Sequence, residues 1–334
     1  MIKWIWPLVI IVVFSACNNS WTREPVKISG KAQGTYYAVT YFDKESKSFQ
    51  PQIDSLLSAF DMTASVYKTN SVISKINNNE SRETDAIFRD IFRAAASIAQ
   101  QTQGAFDITV MPLVNAWGFG YEDPSRLEEP KVDSLLQYVG YDKVWLDGKM
   151  LMKALPEVKI DFNSIAQGYS VDLIGEFLEG EGIENYLVDV GGEVLAKGKK
   201  PGKGLWKVGI EKPAENSNSP RTIKAVVSLK NRALATSGTY RKYYERDGVR
   251  YSHTINPKTG FPVDHTLLSA SVMAPNAMLA DAYATAFMVM GLQDAKEFIK
   301  SQADLDGYFI YSNQNGKIRT HATGGMRRFM DTED

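Results

Sequence analysis

Tyr186-Leu187-Val188-Asp189-Val190-Gly191-Gly192-Glu193 reads as a strand that runs into a double glycine. Two adjacent glycines make an ordinary turn, or they let the backbone take positive φ and come close to a ligand; taken alone, the stretch favours the turn. Toward the C-terminus the chain continues as a succession of strands, over residues 206–211, 224–229, 243–254 folded about Asp247-Gly248, and 269–273. A helix is expected over about 276–290 and a shorter one over 294–301, followed by a last hairpin through Asn315-Gly316. Toward the N-terminus a helix is expected over 165–179, and an Asp147-Gly148 hairpin signal lies within 143–162. Residues 106–110 read as a short strand leading into a loop over 112–120. Two helices with apolar residues at three-to-four spacing cover 53 to about 64 and 85 to about 101. Residues 34–41 alternate as a strand does, and the fold starts near Val26. Strands outnumber helices and come in hairpin pairs, so the expected class is α+β, antiparallel sheets with packed helices, over a doubly wound parallel sheet.

A chain of 334 residues, 44% hydrophobic and 23% charged, has globular composition and room for one large domain or two intimately packed halves. With 38 basic and 39 acidic residues it has no excess of positive charge to neutralise phosphates, so a nucleic-acid partner is set aside. The first residues, MIKWIWPLVIIVVFSAC, carry one lysine, an apolar run from Trp4 to Phe14 and small residues before Cys17, which is the pattern of an export signal. The run is shorter than the roughly 20 residues of a membrane-spanning helix. Ser15-Ala16 before the single cysteine resembles a bacterial lipobox, with Phe14 where leucine is usual. The expectation is a lipoprotein signal over 1–17, lipidation at Cys17, a tether over 18–25, and an exported protein anchored to a membrane and facing the periplasm. A lone thiol forms no internal disulfide, and acyl chains anchor by about 0.8 kcal/mol per buried methylene.

HExxH, paired CxxC and GxSxG are absent from the sequence, which removes the zincin, zinc-ribbon and α/β-hydrolase readings. Residues 198–204 imitate a phosphate loop but have a glycine spacing one short and Gly204 in place of the magnesium-binding Ser/Thr, so they read as an exposed turn.

Four segments gather polar and glycine residues among apolar neighbours. In the first, residues 161–172, a strand ends and a helix begins, and the free N–H groups of a helix start are a seat for phosphate oxygens unless Asn163 or Ser164 merely caps it. The second is the double glycine. In the third, His253 closes a strand beside Asn256-Pro257, where it is either a base that accepts a proton from a hydroxyl nucleophile or a satisfied structural histidine. In the fourth, Asp281 and Thr285 share one helical face, a pair of hard oxygens that suits Mg2+ unless Thr285 bonds into its own helix and Asp281 pairs with a lysine. The alanines between them imply another backbone close by. Together the four point to phosphoryl chemistry on a nucleotide.

These residues resemble the ApbE family, the FAD:protein FMN transferases, from about Gly34 to Met290. The resemblance is carried by Gly34-Thr35-Tyr36, Ser71-x-x-Ser74-x-x-Asn77, Phe106-Asp107-Ile108-Thr109-Val110-x-Pro112-Leu113, the stretch 161–172, Asp189 to Glu193, Ser237-Gly238, His253-Thr254-Ile255-Asn256-Pro257 and Asp281-Ala282-x-Ala284-Thr285. It implies an α+β unit related to the tunnelling fold, with FAD in a groove between two halves and its pyrophosphate beside Mg2+. It implies metal ligands at Asp281, Thr285 and a main-chain oxygen near Ala166, and His253 as catalytic base. It implies nucleotide and flavin contacts at Gly34, Thr35, Tyr67, Asn77, Asp107, Asp161, Ser164, Gly191, Gly192, Glu193, Ser237, Gly238 and Thr254. Asn256 stands where many relatives have aspartate, which leaves that position's role open. The implied reaction transfers FMN to a Thr or Ser of an exported or membrane flavoprotein, with AMP released. An FAD pyrophosphatase and a flavin-binding lipoprotein without turnover are the alternatives.

Overall fold

In the computed structural model residues 24–120, 131–213, 222–239, 243–246 and 249–331 are described. The signal sequence with Cys17 and the Asp247-Gly248 turn lie outside them. The chain opens with the hairpin β1 (Val26–Ala32) and β2 (Thr35–Tyr41), then passes through helices α1 (Gln50–Ala64), α2 (Val72–Asn77), α3 (Ala86–Gln101), α4 (Met111–Ala116) and α5 (Val132–Leu136). A small hairpin, β3 (Val144–Asp147) and β4 (Met150–Lys153), precedes helix α6 (Ala166–Gly180). Strands β5 (Tyr186–Val190), β6 (Glu193–Lys197), β7 (Trp206–Glu211), β8 (Ile223–Leu229), β9 (Arg232–Gly238), β10 (Tyr243–Arg246), β11 (Val249–Ser252) and β12 (Leu267–Ala274) follow. The chain ends with α7 (Ala277–Met290), α8 (Leu292–Lys300), β13 (Asp306–Ser312), β14 (Ile318–Ala322) and α9 (Gly324–Phe329).

Eight strands form one sheet in the order β1-β2-β5-β6-β9-β12-β13-β14, every neighbour antiparallel. The α+β expectation is met. Side chains alternate between two cores, as the two-residue period of a strand requires. Tyr186, Val188, Val190, Ala233, Ala235, Ala270 and Val272 face the larger core with the helices. Val194, Ala196, Leu234 and Met273 face a second core that the β7-β8 ribbon and α9 close, centred on the fully buried Trp206. Helix α6 packs on β5 and β6, α7 on β9 and β12, and the two helices pack on one another. Nearly every side of α7 is apolar and buried, as a helix enclosed by sheet and helices must be. Among the described residues no helix is long and apolar enough to cross a membrane.

Two local expectations fail. Residues 106–110 form turns, because the Asp107 carboxylate accepts both the backbone N–H (2.8 Å) and the hydroxyl (2.6 Å) of Thr109 and folds the segment on itself. The expected loop over 112–120 begins as helix α4, with Pro112 in its first turn, where a missing N–H costs nothing.

Candidate active site

Strand register gathers the predicted groups at one end of the sheet. The β1-β2 turn is Gln33-Gly34, both at positive φ (53° and 73°), the geometry of a two-residue hairpin. Tyr37 pairs with Val190, Val194 with Leu234, and Ser269 with Gly238. Gly34-Thr35, the Gly191-Gly192 turn with Glu193, and Ser237-Gly238 therefore share that end. The double glycine is a turn, and Gly191 packs closely on side chains of the protein. Gly191 and Gly192 have φ of 62° and 110°, Asp189 accepts the Gly192 N–H at 2.9 Å, and a β-carbon at Gly191 would strike the Gln167 side chain and lie 2.9 Å from Thr35 Cγ2. Gln167 brings the start of α6 to the same place.

That helix start has no side-chain cap: its N-cap is Ile165, so the bland role for Asn163 and Ser164 is not the one they take. Asn163 instead donates its backbone N–H (2.8 Å) and its amide (3.1 Å) to Asp161. Exposed Tyr67 stands beside this pair, and partial burial of the phenol together with the Asp161 charge raises its pKa. Ser164 is half-buried in the turn that leads into Ala166.

Helix α7 crosses α6 backbone to backbone. A β-carbon at Gly168 would collide with the Ala277 carbonyl and come within 2.8 Å of Asp281 Cβ, which is the close packing the alanines of α7 imply. The Gly168 N–H donates to Asp281 Oδ2 at 3.0 Å. Asp281 is 6% exposed, and burial, then the charge of Asp172, raises its pKa. No lysine or arginine pairs with it among the described residues. One turn on, the Thr285 hydroxyl meets the Ser237 hydroxyl at 3.3 Å instead of bonding into its own helix. Among the described residues no three His, Cys, Asp or Glu side chains are grouped to hold a metal. A cation here would have one carboxylate and neutral oxygens, the sparse protein set that Mg2+ accepts when phosphates complete its shell. A buried carboxylate held by one N–H and facing no cation fits such an ion.

His253 is carried by a separate platform. Its ring lies edge-on to Phe119 with centroids 6.3 Å apart, and Ile255, two residues on, is buried with Leu113, Val132 and Val139. Thr254 is held by its backbone, donating to Ser252 Oγ at 3.1 Å and accepting from Val263 at 2.9 Å. Asn256 takes a structural part here: its side-chain oxygen accepts the N–H groups of Lys258 (2.9 Å) and Thr259 (3.4 Å) and shapes the turn after Pro257.

Two residues expected at the ligand are spent inside the protein. The Asn77 amide donates to Ile160 O and accepts from Ile160 N, both at 2.8 Å, so it braces the backbone leading to Asp161. Asp107 is buried in its turn, with its pKa raised by that burial. Sequence reading assigned no role to Gly168, Gln167 or Asp172. A glycine inside a helix, costly unless something approaches it, was the signal for the first.

The chain matches the ApbE family model over residues 33–309. It is 35% identical to the FAD:protein FMN transferase of Haemophilus influenzae, an alignment covering all of this chain and 99% of that one. It is likewise 35% identical to that of Vibrio cholerae over 87% of this chain and 88% of the relative. The solved flavin transferase ApbE from Vibrio cholerae superposes with a TM-score of 0.81 at 31% identity, covering 92% and 99% of the two chains. The ApbE protein from Thermotoga maritima gives 0.79 at 29%, with the same coverage.

Proposed function

Because the chain belongs to the ApbE family, we propose that this transferase is a Mg2+-dependent FAD:protein FMN transferase that joins FMN through a phosphoester bond to a threonine or serine of an acceptor protein and releases AMP. The observation that carries the reading is the crossing of α6 and α7, where buried Asp281 and the Thr285 hydroxyl meet a helix start whose own N-cap supplies no acceptor, beside two glycine turns.

Asp281, Thr285 and the main-chain oxygen of Ala166 would hold Mg2+, which when bound neutralises charge on the pyrophosphate and on the departing AMP. The start of α6 and the glycine turns bind phosphate oxygens through backbone N–H groups. Tyr67 and Asp161 line the groove beside that start. His253 takes the proton of the acceptor hydroxyl, whose oxygen bonds to the phosphorus on the FMN side as the bond from that phosphorus to the bridging oxygen breaks. The electron pair leaves on AMP.

Purified protein mixed with FAD, Mg2+ and a flavoprotein acceptor should give an acceptor band that fluoresces in a denaturing gel. Free FMN and AMP with a dark acceptor would make the enzyme a pyrophosphatase instead. His253→Ala should lower the transfer rate by about 100- to 10,000-fold while FAD binding, measured by fluorescence quenching, stays near wild type. Transfer at the wild-type rate in that variant removes its role as base.

In the same proposal residues 1–17 are a lipoprotein signal, Cys17 is the acylated residue and the domain faces the periplasm, supported by the apolar run from Trp4 to Phe14 and by Ser15-Ala16 before the cysteine. Labelled palmitate should enter the protein and be lost in Cys17→Ala; equal labelling of both rejects the anchor.

A further inference from the structure

Two side chains hold the start of α7, and they come from different places. Asn276, the helix's own N-cap, accepts the Leu279 N–H at 2.9 Å. Asp172, on α6, accepts the Ala277 N–H at 2.7 Å and the Met278 N–H at 2.8 Å, one on each carboxylate oxygen. Only the second ties α7 to another element. Four residues back along α6, Gly168 meets Asp281, which is four residues forward along α7 from Ala277. The helices are thus antiparallel and joined at two points about 6 Å apart, a little more than one helical turn. Two points fix what one leaves free. A slip of a single residue would turn the face of α7 by about 100° and carry Asp281 and Thr285 away from α6.

We propose that Asp172 is a positioning residue for flavin transfer: by bonding the first two N–H groups of α7 it sets the translation and rotation of that helix on α6, and so places Asp281 and Thr285 as a ready seat for the cation and the pyrophosphate. The inference rests on the function proposed above. Asp172 touches neither cation nor substrate and acts through the helix it holds. An ordinary capping residue would stabilise α7 equally well from α7's own sequence, as Asn276 does. A cap supplied by α6 adds registration.

The test compares Asp172→Asn and Asp172→Ser with Asn276→Ala. Asparagine keeps the shape but turns an NH2 group toward one of the two N–H groups; serine keeps one acceptor with shorter reach. Mn2+ binding is read by loss of the free-ion electron paramagnetic resonance signal with ADP present, and the Mg2+ dependence of transfer and the unfolding midpoint are read on the same proteins. Both Asp172 variants should weaken Mn2+ binding about tenfold or more, the loss usual when a group behind the ligands is changed. They should raise the Mg2+ concentration for half-maximal transfer by the same factor, with kcat at saturating Mg2+ within about threefold of wild type. Asn276→Ala should lose comparable stability and keep wild-type Mn2+ affinity. Unchanged Mn2+ affinity in the Asp172 variants, or an equal loss in Asn276→Ala, overturns the inference alone. A wild-type protein that binds no Mn2+ with ADP, or transfers FMN without a divalent cation, overturns the functional reading beneath it.

Discussion

The starts of α6 and α7 lie against each other, each lending a carboxylate to the other, and are finished to different degrees. At α7 the N–H groups of Ala277, Met278 and Leu279 all point into side-chain oxygens, two into Asp172 and one into Asn276. At α6 the N-cap Ile165 offers no side-chain acceptor; Ala166 donates to Phe162 O, Gly168 donates to the Asp281 carboxylate of α7, and among the described residues the Gln167 N–H meets no protein acceptor. Every helix start presents unpaired donors and a positive dipole end. The chain closes that site fully where the helix must be held in place and leaves one N–H open where the glycine turns and Ser237 converge. A helix start whose own N-cap accepts nothing is costly in a fold that has no use for it, so the contrast itself separates scaffold from site.

The sharpest way to break the contrast is Asp281→Asn, which keeps the shape at the open start but removes its charge. If the crossing seats a cation that stabilises the reacting pyrophosphate by several kcal/mol, transfer should fall about 100- to 1000-fold, measured as the rate at which fluorescent flavin appears on the acceptor. Less than a threefold change would mean that the cation sits elsewhere. Gly168→Val attacks the same crossing through packing. Its branched side chain meets the Ala277 backbone, which cannot turn aside as a side chain can, so the fold should lose about 2 kcal/mol in urea unfolding. A loss under about 0.5 kcal/mol would show the helices free to separate.

How much of this was legible depended on whether a residue's neighbours were close in sequence. The helices and hairpins were read from periodicity and turn chemistry: α1 and α3 carry three-to-four spacing, and the turns at Asp147-Gly148 and Asn315-Gly316 fall where β3-β4 and β13-β14 reverse. Strand β9 escaped notice because its Ala233 and Ala235 face α7, where little room exists for the branched residues that mark a strand. Helices α2 and α4 have six residues each, too few to show a period. Asp281 and Thr285 were legible as a pair because one helix carries both. The internal bonds of Asn77 and Asp107 were not legible because their partners, Ile160 and the folded-back Thr109, are set by the fold, and a polar side chain in a motif shows its type without showing what it bonds. Gly168 and Asp172 were quoted within a segment whose importance was evident, but what each does depends on a helix more than 100 residues away.

The smallest expected effect is the most discriminating for the closed kind of site. Asn256 is the α7 device in miniature: its side-chain oxygen accepts the Lys258 and Thr259 N–H groups and organises the turn that follows His253. Both bonds use asparagine as an acceptor, and a carboxylate offers the same oxygen at the same reach with a charge that strengthens such bonds. Asn256→Asp should therefore change stability by less than about 0.5 kcal/mol, the usual range for a substitution that breaks no named interaction, and leave the transfer rate within about twofold. Asn256→Ala removes the acceptor and should move the turn and His253 with it, lowering the rate more than the stability. If aspartate were as damaging as alanine, the amide nitrogen would have a task of its own, and the turn would belong with the open sites that wait for a ligand.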